Sequence, residues 1–360
     1  MIVDRSWRTA VIGVVVSLSL GALLAAVLGY PVTELFAALW RSSITKPGKF
    51  EATLANGVPL LLTALSAAIA FAAGPVNLGQ PGQVLMGVLF ATFVGLHLHA
   101  PALVQVPVLL ACAGLGGSLW AGIAALTKRR FGMDEFIVTL MLNEVGRLFC
   151  DWAISSPLQD PSAGSVTTEA VVRSGWITRS GSIGFGLVAA AICALVVHRF
   201  VVGYVWRMMG QAPMFARLGG VDNSTNTTSV MLFTGALAGF AGGILLLAGP
   251  HRFVKGLGGN YGWDGVMIAV VAVNSVLGCV LYALLFSALQ TGSIGMELAA
   301  DVPSEYVQIL QAIVVLVTVA VRGFLASRVG TWRARRRARV ASTPKEPKQP
   351  EPDAPATRST

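Results

Sequence analysis

The stretches NLGQPG (residues 77–82) and NYGWDG (residues 260–265) share the spacing N-x-G-x-x-G, and each follows a long apolar run. In a soluble domain that spacing suggests a nucleotide loop, which needs a strand before it, a helix after it and an acidic residue about 20 positions on. Neither copy has this setting. Each is preceded instead by a second match, TALSAAIAFAAG at 63–74 and TGALAGFAGG at 234–243. The pattern reads as a duplicated unit, an apolar helix followed by an Asn/Gly break. The plain alternative is that six-residue coincidences are common in glycine-rich apolar helices.

Composition decides the solvent. Apolar residues make up 54% of the 360 and charged residues 12%, about half the ~25% charge of a soluble domain. From Ala52 to Thr127 there is no Asp, Glu, Lys or Arg. The fold class is therefore an all-α polytopic membrane protein. Apolar runs give ten segments: 9–29, 54–74, 83–97, 102–126, 136–154, 183–204, 228–248, 264–274, 277–290 and 307–321. The segments 264–274 and 277–290 are short, and a helix of a dozen residues reaches only partway through ~30 Å of hydrocarbon. Such segments must end on protein or on a water-filled path.

Loop charge sets the orientation. With the N-terminus (1–8) inside, Lys128, Arg129, Arg130, Arg207 and Arg217 also lie inside, and the polar loop 155–181 lies outside. If 264–290 enters and returns as two short helices, the arginine-rich stretch RGFLASRVGTWRARRRARV (322–340) ends inside as well, as the positive-inside rule requires. This threading gives a transmembrane domain over 9–322 and a basic, then Pro-rich, disordered cytoplasmic tail over 323–360. The net charge of +9 then marks contact with anionic membrane lipid, not nucleic acid. In the same threading the two Asn/Gly breaks follow spans of opposite direction. Inverted repeats with glycine-interrupted helices are a transporter signature. The four cysteines stand singly without metal spacing and read as packing residues.

Four ordered segments resemble the permease subunits of bacterial ABC importers, in the branch of ribose, simple-sugar and nucleoside permeases. They are NLGQPGQ (77–83), TLMLNEVG (139–146), GQAPMFARLGGV (210–221), and TGALAGFAGG followed by NYGWDGVMIAV. The stretch GPHRFVKGLGGNYGWDG resembles the nucleoside-type members most. The resemblance implies an inverted-repeat permease fold like that of vitamin B12 importers, in the bacterial plasma (inner) membrane with both termini cytoplasmic. It also implies the partners: a cytoplasmic ABC ATPase, a second permease that is a sister protein, and an extracellular solute-binding lipoprotein. Glu144 stands where Tyr is common in the family, and Pro81 where Glu is usual.

The chain has no G-x-x-x-x-G-K-[ST], so ATP belongs to the partner ATPase and no cofactor or metal is expected here. Loop 205–227 is the candidate coupling loop. Pro213 suits the first turn of a short helix, Met214, Phe215 and Leu218 offer an apolar face, Arg217 offers a charge, and Gly219 with Gly220 ends the helix; Gly210 opens the motif. Candidate pathway residues are Asn77, Gln80 and Gln83 in the first break, and Asn143, Glu144 and Arg147 in the fifth segment. Tyr261, Trp263 and Asp264 are expected at the outer mouth. Glu144 and Arg147 form either a structural ion pair or a solute contact. Two rivals remain: a gradient-driven secondary transporter, disfavoured because Glu144 is the only deep acid, and a membrane enzyme, for which no catalytic set assembles.

Overall fold

A computed structural model describes residues 3–300, 302–303 and 305–321, with side chains from residue 12 onward except that of Ala300. The expected tail at 323–360, and the first two residues of the expected N-terminal segment 1–8, lie outside the described residues. Thirteen α-helices are described: α1 Val3–Val27, α2 Val32–Trp40, α3 Lys49–Ala73, α4 Gln80–His97, α5 Ala102–Phe131, α6 Glu135–Ser155, α7 Arg179–Arg199, α8 Val201–Gln211, α9 Pro213–Leu218, α10 Asn223–Ala248, α11 Tyr261–Val271, α12 Val276–Ala300 and α13 Glu305–Val321. Among the described residues the only β-pairing is two isolated bridges, Gln159 with Thr168 and Thr167 with Val254. Each of the ten expected apolar segments falls on a helix. Five helices, α3, α5, α7, α10 and α12, are long and apolar enough to cross a membrane.

Local chemistry sets the helix ends. Asp134 and Asp222 cap α6 and α10 by accepting backbone N–H groups of Phe136 and of Ser224 and Thr225, which replaces bonds the first turn lacks. At the other end of α5, Lys128, Arg129 and Arg130 fill the last turn, and Gly132 follows with φ +68° and donates to Lys128 O. That is favourable charge at a helix C-terminus, closed by a left-handed glycine.

Two helices form the centre. The apolar windows of α3 and α10 are 78% and 72% buried, against 22% for the peripheral α7. Since lipid is as apolar as leucine, helices here associate through close backbone packing at small residues. On α10 the glycines 235, 239, 242 and 243 do this: a Cβ at Gly239 would overlap Ala113 O, one at Gly242 would overlap Val84 O, and Gly87 and Gly117 meet α10 from the other side. The packing is also paired. As α10 packs on α4 and α5, α3 packs on α11 and α12, and α3 and α10 pack on each other.

The segment expected at 277–290 is not short. It belongs to α12, a helix of 25 residues, about 37 Å long. The apolar run stops at Gln290, but the polar residues beyond it find protein partners: Thr291 accepts from Asn56, and Gln290 donates to Asp264. Of the two segments expected to be short, α11 alone is so, with 11 residues and roughly 16 Å. A second difference lies at Phe200, where the expected continuous segment 183–204 breaks (ψ 150°) and α8 folds back. Gly203 permits this, because a Cβ there would overlap Val196 O. The sequence reading also lacked α2 and the five-residue π-turn Arg41–Thr45 after it.

Candidate functional site

Between α3 and α4 the chain leaves the helix at Gly74 (φ +110°) and runs non-helically to Gly79 before α4 begins. Gly74 and Val76 are exposed, but Asn77 and Gly79 are buried, and buried N–H and C=O groups must find partners in protein. Asn77 Oδ1 accepts from Gly79 N (2.9 Å) and from Gln83 Nε2 (3.0 Å), and Asn77 Nδ2 donates to Thr234 Oγ1 on α10 (3.2 Å). From α6, Asn143 Oδ1 accepts from Gly82 N (3.0 Å), Asn143 Nδ2 donates to Leu78 O (2.9 Å), and Thr139 Oγ1 accepts from Leu78 N (3.3 Å). Ser66 on α3 donates to Thr234 O (2.8 Å), joining the two central helices. Asn77, Gln80, Gln83 and Asn143 are all buried. They form a closed polar knot. Gln80 is its loose thread: Nε2 reaches Ser66 Oγ at 3.5 Å, while Oε1 has no protein partner.

The second break meets the first. α11 starts at the depth of the middle of α3: Thr63 Oγ1 donates to Tyr261 O (3.1 Å), and a Cβ at Gly265 would overlap Thr63. A Cβ at Gly262 would overlap the backbone of Pro81, so the starts of α4 and α11 touch head to head. Tyr261 and Asp264 therefore lie inside the helix bundle and not at an outer mouth, where the sequence reading put them. Asp264 is buried and accepts from Gln290 Nε2 (2.7 Å), which ties α11 to α12; Trp263 is exposed. Loop 249–260 leads into α11 with Gly258 packed against Val84 and Leu245. Gln290, Thr234, Ser66, Thr63 and Thr139 were missed. Thr63, Thr234 and Thr139 each open one of the quoted stretches, but the polar type of a single side chain in an apolar helix does not say which partner it meets.

Asn143 and its neighbours face opposite ways on α6. While Asn143 is buried, Glu144 and Arg147 are 67% and 52% exposed at their side chains and pair at 2.8 Å; Arg147 also reaches Asp151 at 3.5 Å. Around them Met141, Val145, Leu148 and Trp152 are exposed too. A charged triad thus sits on an otherwise apolar, uncovered helix face.

Loop 205–227 carries the short helix expected from Pro213. Pro213 opens α9 in its first turn, Ala216 is fully buried, and Met214, Phe215, Arg217 and Leu218 point outward, the apolar three being 66–79% exposed. Gly220 (φ +83°) ends the helix, with Val221 N bonded back to Ala216 O, the left-handed closure that glycine allows. Gly210, on α8, lies so close to α3 that a Cβ would overlap Ala72 O. The helix that precedes α9 is therefore seated on the end of α3 that leads into the polar knot, and α9 packs on α8 and α10.

Long apolar helices around a buried polar centre, with one half-length helix ending at depth, define a multi-pass membrane transport protein. A family profile described as "Branched-chain amino acid transport system / permease component" matches residues 50–319. The chain belongs to that family and is an ABC transporter permease, a transport subunit and not an enzyme. It is 31% identical to the guanosine ABC transporter permease protein NupP of Bacillus subtilis over 85% of this chain and 90% of that one. It is 28% identical to the nucleoside ABC transporter permease protein NupB of Lactococcus lactis (86% and 90%). It is equally 28% identical to the glucose ABC transporter permease protein TsgB13 of Haloferax volcanii (90% and 90%). No solved structure matches the chain.

Proposed function

We propose that this permease is half of the gate of an ATP-driven importer for a nucleoside or a simple sugar, the nucleoside class being favoured by NupP and NupB. The ten membrane segments, with α11 only half-length, thread with both termini cytoplasmic. In support, α13 packs antiparallel to α1 through Thr318 at Gly13 and Leu310 at Gly21, which returns the chain to the face it started from. The paired packing of α3 with α10 supports two inverted halves, as in vitamin B12 importers. On this reading α9 is the coupling helix, the partner ATPase hydrolyses the ATP, and an extracellular binding lipoprotein delivers the solute.

The observation that carries the proposal is the exposed triad on α6. Charged side chains facing hydrocarbon cost about 2.5 kcal/mol or more apiece, so the face bearing Glu144, Arg147 and Asp151 fits a water-filled path shared with a second permease, a sister protein. The polar knot around Asn77, Gln80, Gln83, Asn143 and Asp264 then acts behind that wall as the hinge of the gate. The test is uptake in proteoliposomes holding the permease pair, its ATPase and its binding protein. Import of labelled guanosine or ribose should need ATP and binding protein together. Import driven by an ion gradient without the ATPase would overturn the proposal.

A further inference from the structure

The π-turn Arg41–Thr45 is an unusual element to preserve at the join of two helices, since an i→i+5 turn gives up regular α hydrogen bonding and tends to occur at functional sites. Here it is firmly held. Thr53 Oγ1 donates to Ser43 O (2.7 Å), Lys46 N closes the turn on Arg41 O (3.0 Å), and Gly295 of α12 lets Ser42 approach to a distance at which a Cβ would overlap the serine. Gly48 then reverses the chain with φ +73°.

The effect is to place three cations, Arg41, Lys46 and Lys49, on the rim of one cavity of about 300 Å³. Its apolar lining is buried Ala38 with exposed Ile294 and Leu298 of α12. None of the three cations forms an ion pair among the described residues. No carboxylate lines the cavity. On either side Trp40 and Phe50 are exposed, as aromatic side chains are at a membrane–water boundary.

We propose that this cavity binds the phosphate-bearing headgroup of an anionic phospholipid, with Arg41, Lys46 and Lys49 around the phosphate and an acyl chain lying along Ile294 and Leu298. A basic rim over an apolar lining at a membrane boundary matches an amphiphilic anion in both of its parts. A free phosphate would use only the rim. By anchoring α2 and the π-turn to α12 and to the start of α3, the lipid would steady the end of the bundle opposite α9. The inference requires only that the chain spans a membrane and is independent of what it transports.

The test uses the full chain in neutral detergent, with phosphatidylglycerol, phosphatidylcholine or inorganic phosphate added, read by thermal unfolding and by native mass spectrometry. Phosphatidylglycerol should raise the melting temperature and remain bound, while the other two should do neither. Each cation near an anionic lipid is worth roughly fivefold, so R41Q/K46Q/K49Q should weaken the apparent affinity on the order of 100-fold. If that triple variant fails to fold, the single exchanges Lys46→Gln and Lys49→Gln, at exposed or half-buried positions, should each lose about fivefold. Lys255→Gln, at a lysine that does not line the cavity, should lose nothing. A shift produced equally by inorganic phosphate, or lipid binding unchanged in the variants, would overturn the inference.

Discussion

Gly262 at the start of α11 lies against the backbone of Pro81 at the start of α4, with no room for a Cβ between them. The two N-x-G-x-x-G stretches are therefore two halves of one contact, and the third residue of each repeat is glycine for its own reason. Gly79 is the residue whose N–H Asn77 holds; Gly262 is the point of touch. Because the obstacle is backbone and not a flexible side chain, Gly262→Ala must push the helix starts apart, at ~1–3 kcal/mol or more. Gly164→Ala, in open space, is the control. Thermal unfolding in detergent should show a clear drop for the first and none for the second.

The polar knot makes a different prediction, about coupling. Asn77 and Gln83 bond each other through both amide groups, and each is fully enclosed. Removing either leaves buried donors or acceptors without partners, at about 1–3 kcal/mol. After Asn77→Ala, however, Gln83→Ala has little left to lose. A double-mutant cycle on melting free energy should give a coupling of about 0.5 kcal/mol or more. Additive losses would mean that the two amides act separately.

At the opposite end the loops 156–178 and 249–260 are strapped together, and His251 stacks on Trp176 with ring centroids 4.1 Å apart and planes 7° apart. Burial lowers the pKa of His251, with a smaller opposing effect from the backbone at Leu247. The folded state thus holds fewer protons than the unfolded state just below the ordinary value near 6.5. The stack's contribution is complete above that pH and declines as pH falls through it. Melting should be lower at pH 5.5 than at pH 7.5, and His251→Phe, which keeps a ring, should narrow the difference.

Much of this was legible in the sequence. Apolar run length put each of the ten expected segments in helical chain, because an apolar run in hydrocarbon must satisfy its own backbone, but it missed the break of 183–204 at Phe200 and the full length of α12. Pro213 and Gly220 fixed α9 for equally local reasons. Depth was the part that could not be read. Whether Asp264 sits at a mouth or inside depends on where loop 249–260 travels, and the length of α12 depends on Gln290 finding Asp264 across 26 positions of chain. The burial of Asn143 beside an exposed Glu144 shows the same limit, since adjacent residues on one helix face opposite ways and only the packed partners say which way is in.

For α9, the expectation rests on its seating. Ala216 is the inward anchor, while Phe215 and Leu218 are exposed and touch nothing that the fold needs. The double variant F215A/L218A should melt as the parent does and insert normally. If these side chains fill a groove on the ATPase, each truncation costs more than ~1 kcal/mol of that contact. Co-purified ATPase and ATP-dependent uptake should then fall at least ~10-fold together. Loss of uptake with the ATPase still fully bound would place the coupling elsewhere.

Glu144→Gln separates the two roles open to the triad. Arg147 keeps Asp151 at 3.5 Å when Glu144 is neutralised, so the guanidinium is not stranded and the fold should survive with near-parental abundance. If Glu144 borders the solute path, the exchange instead changes what passes. Competition by guanosine, adenosine and ribose against labelled substrate should shift by severalfold in their ratios, because losing a charged hydrogen-bond acceptor weighs differently on each solute. The swap E144R/R147E, made together with D151N so that no carboxylate faces another across the turn, supplies the cross-check. It rebuilds the Glu144–Arg147 ion pair in reverse, so a purely structural pair would keep both abundance and selectivity. A path-lining carboxylate would keep abundance alone, because the acceptor would then stand one helical turn away from where the solute meets it.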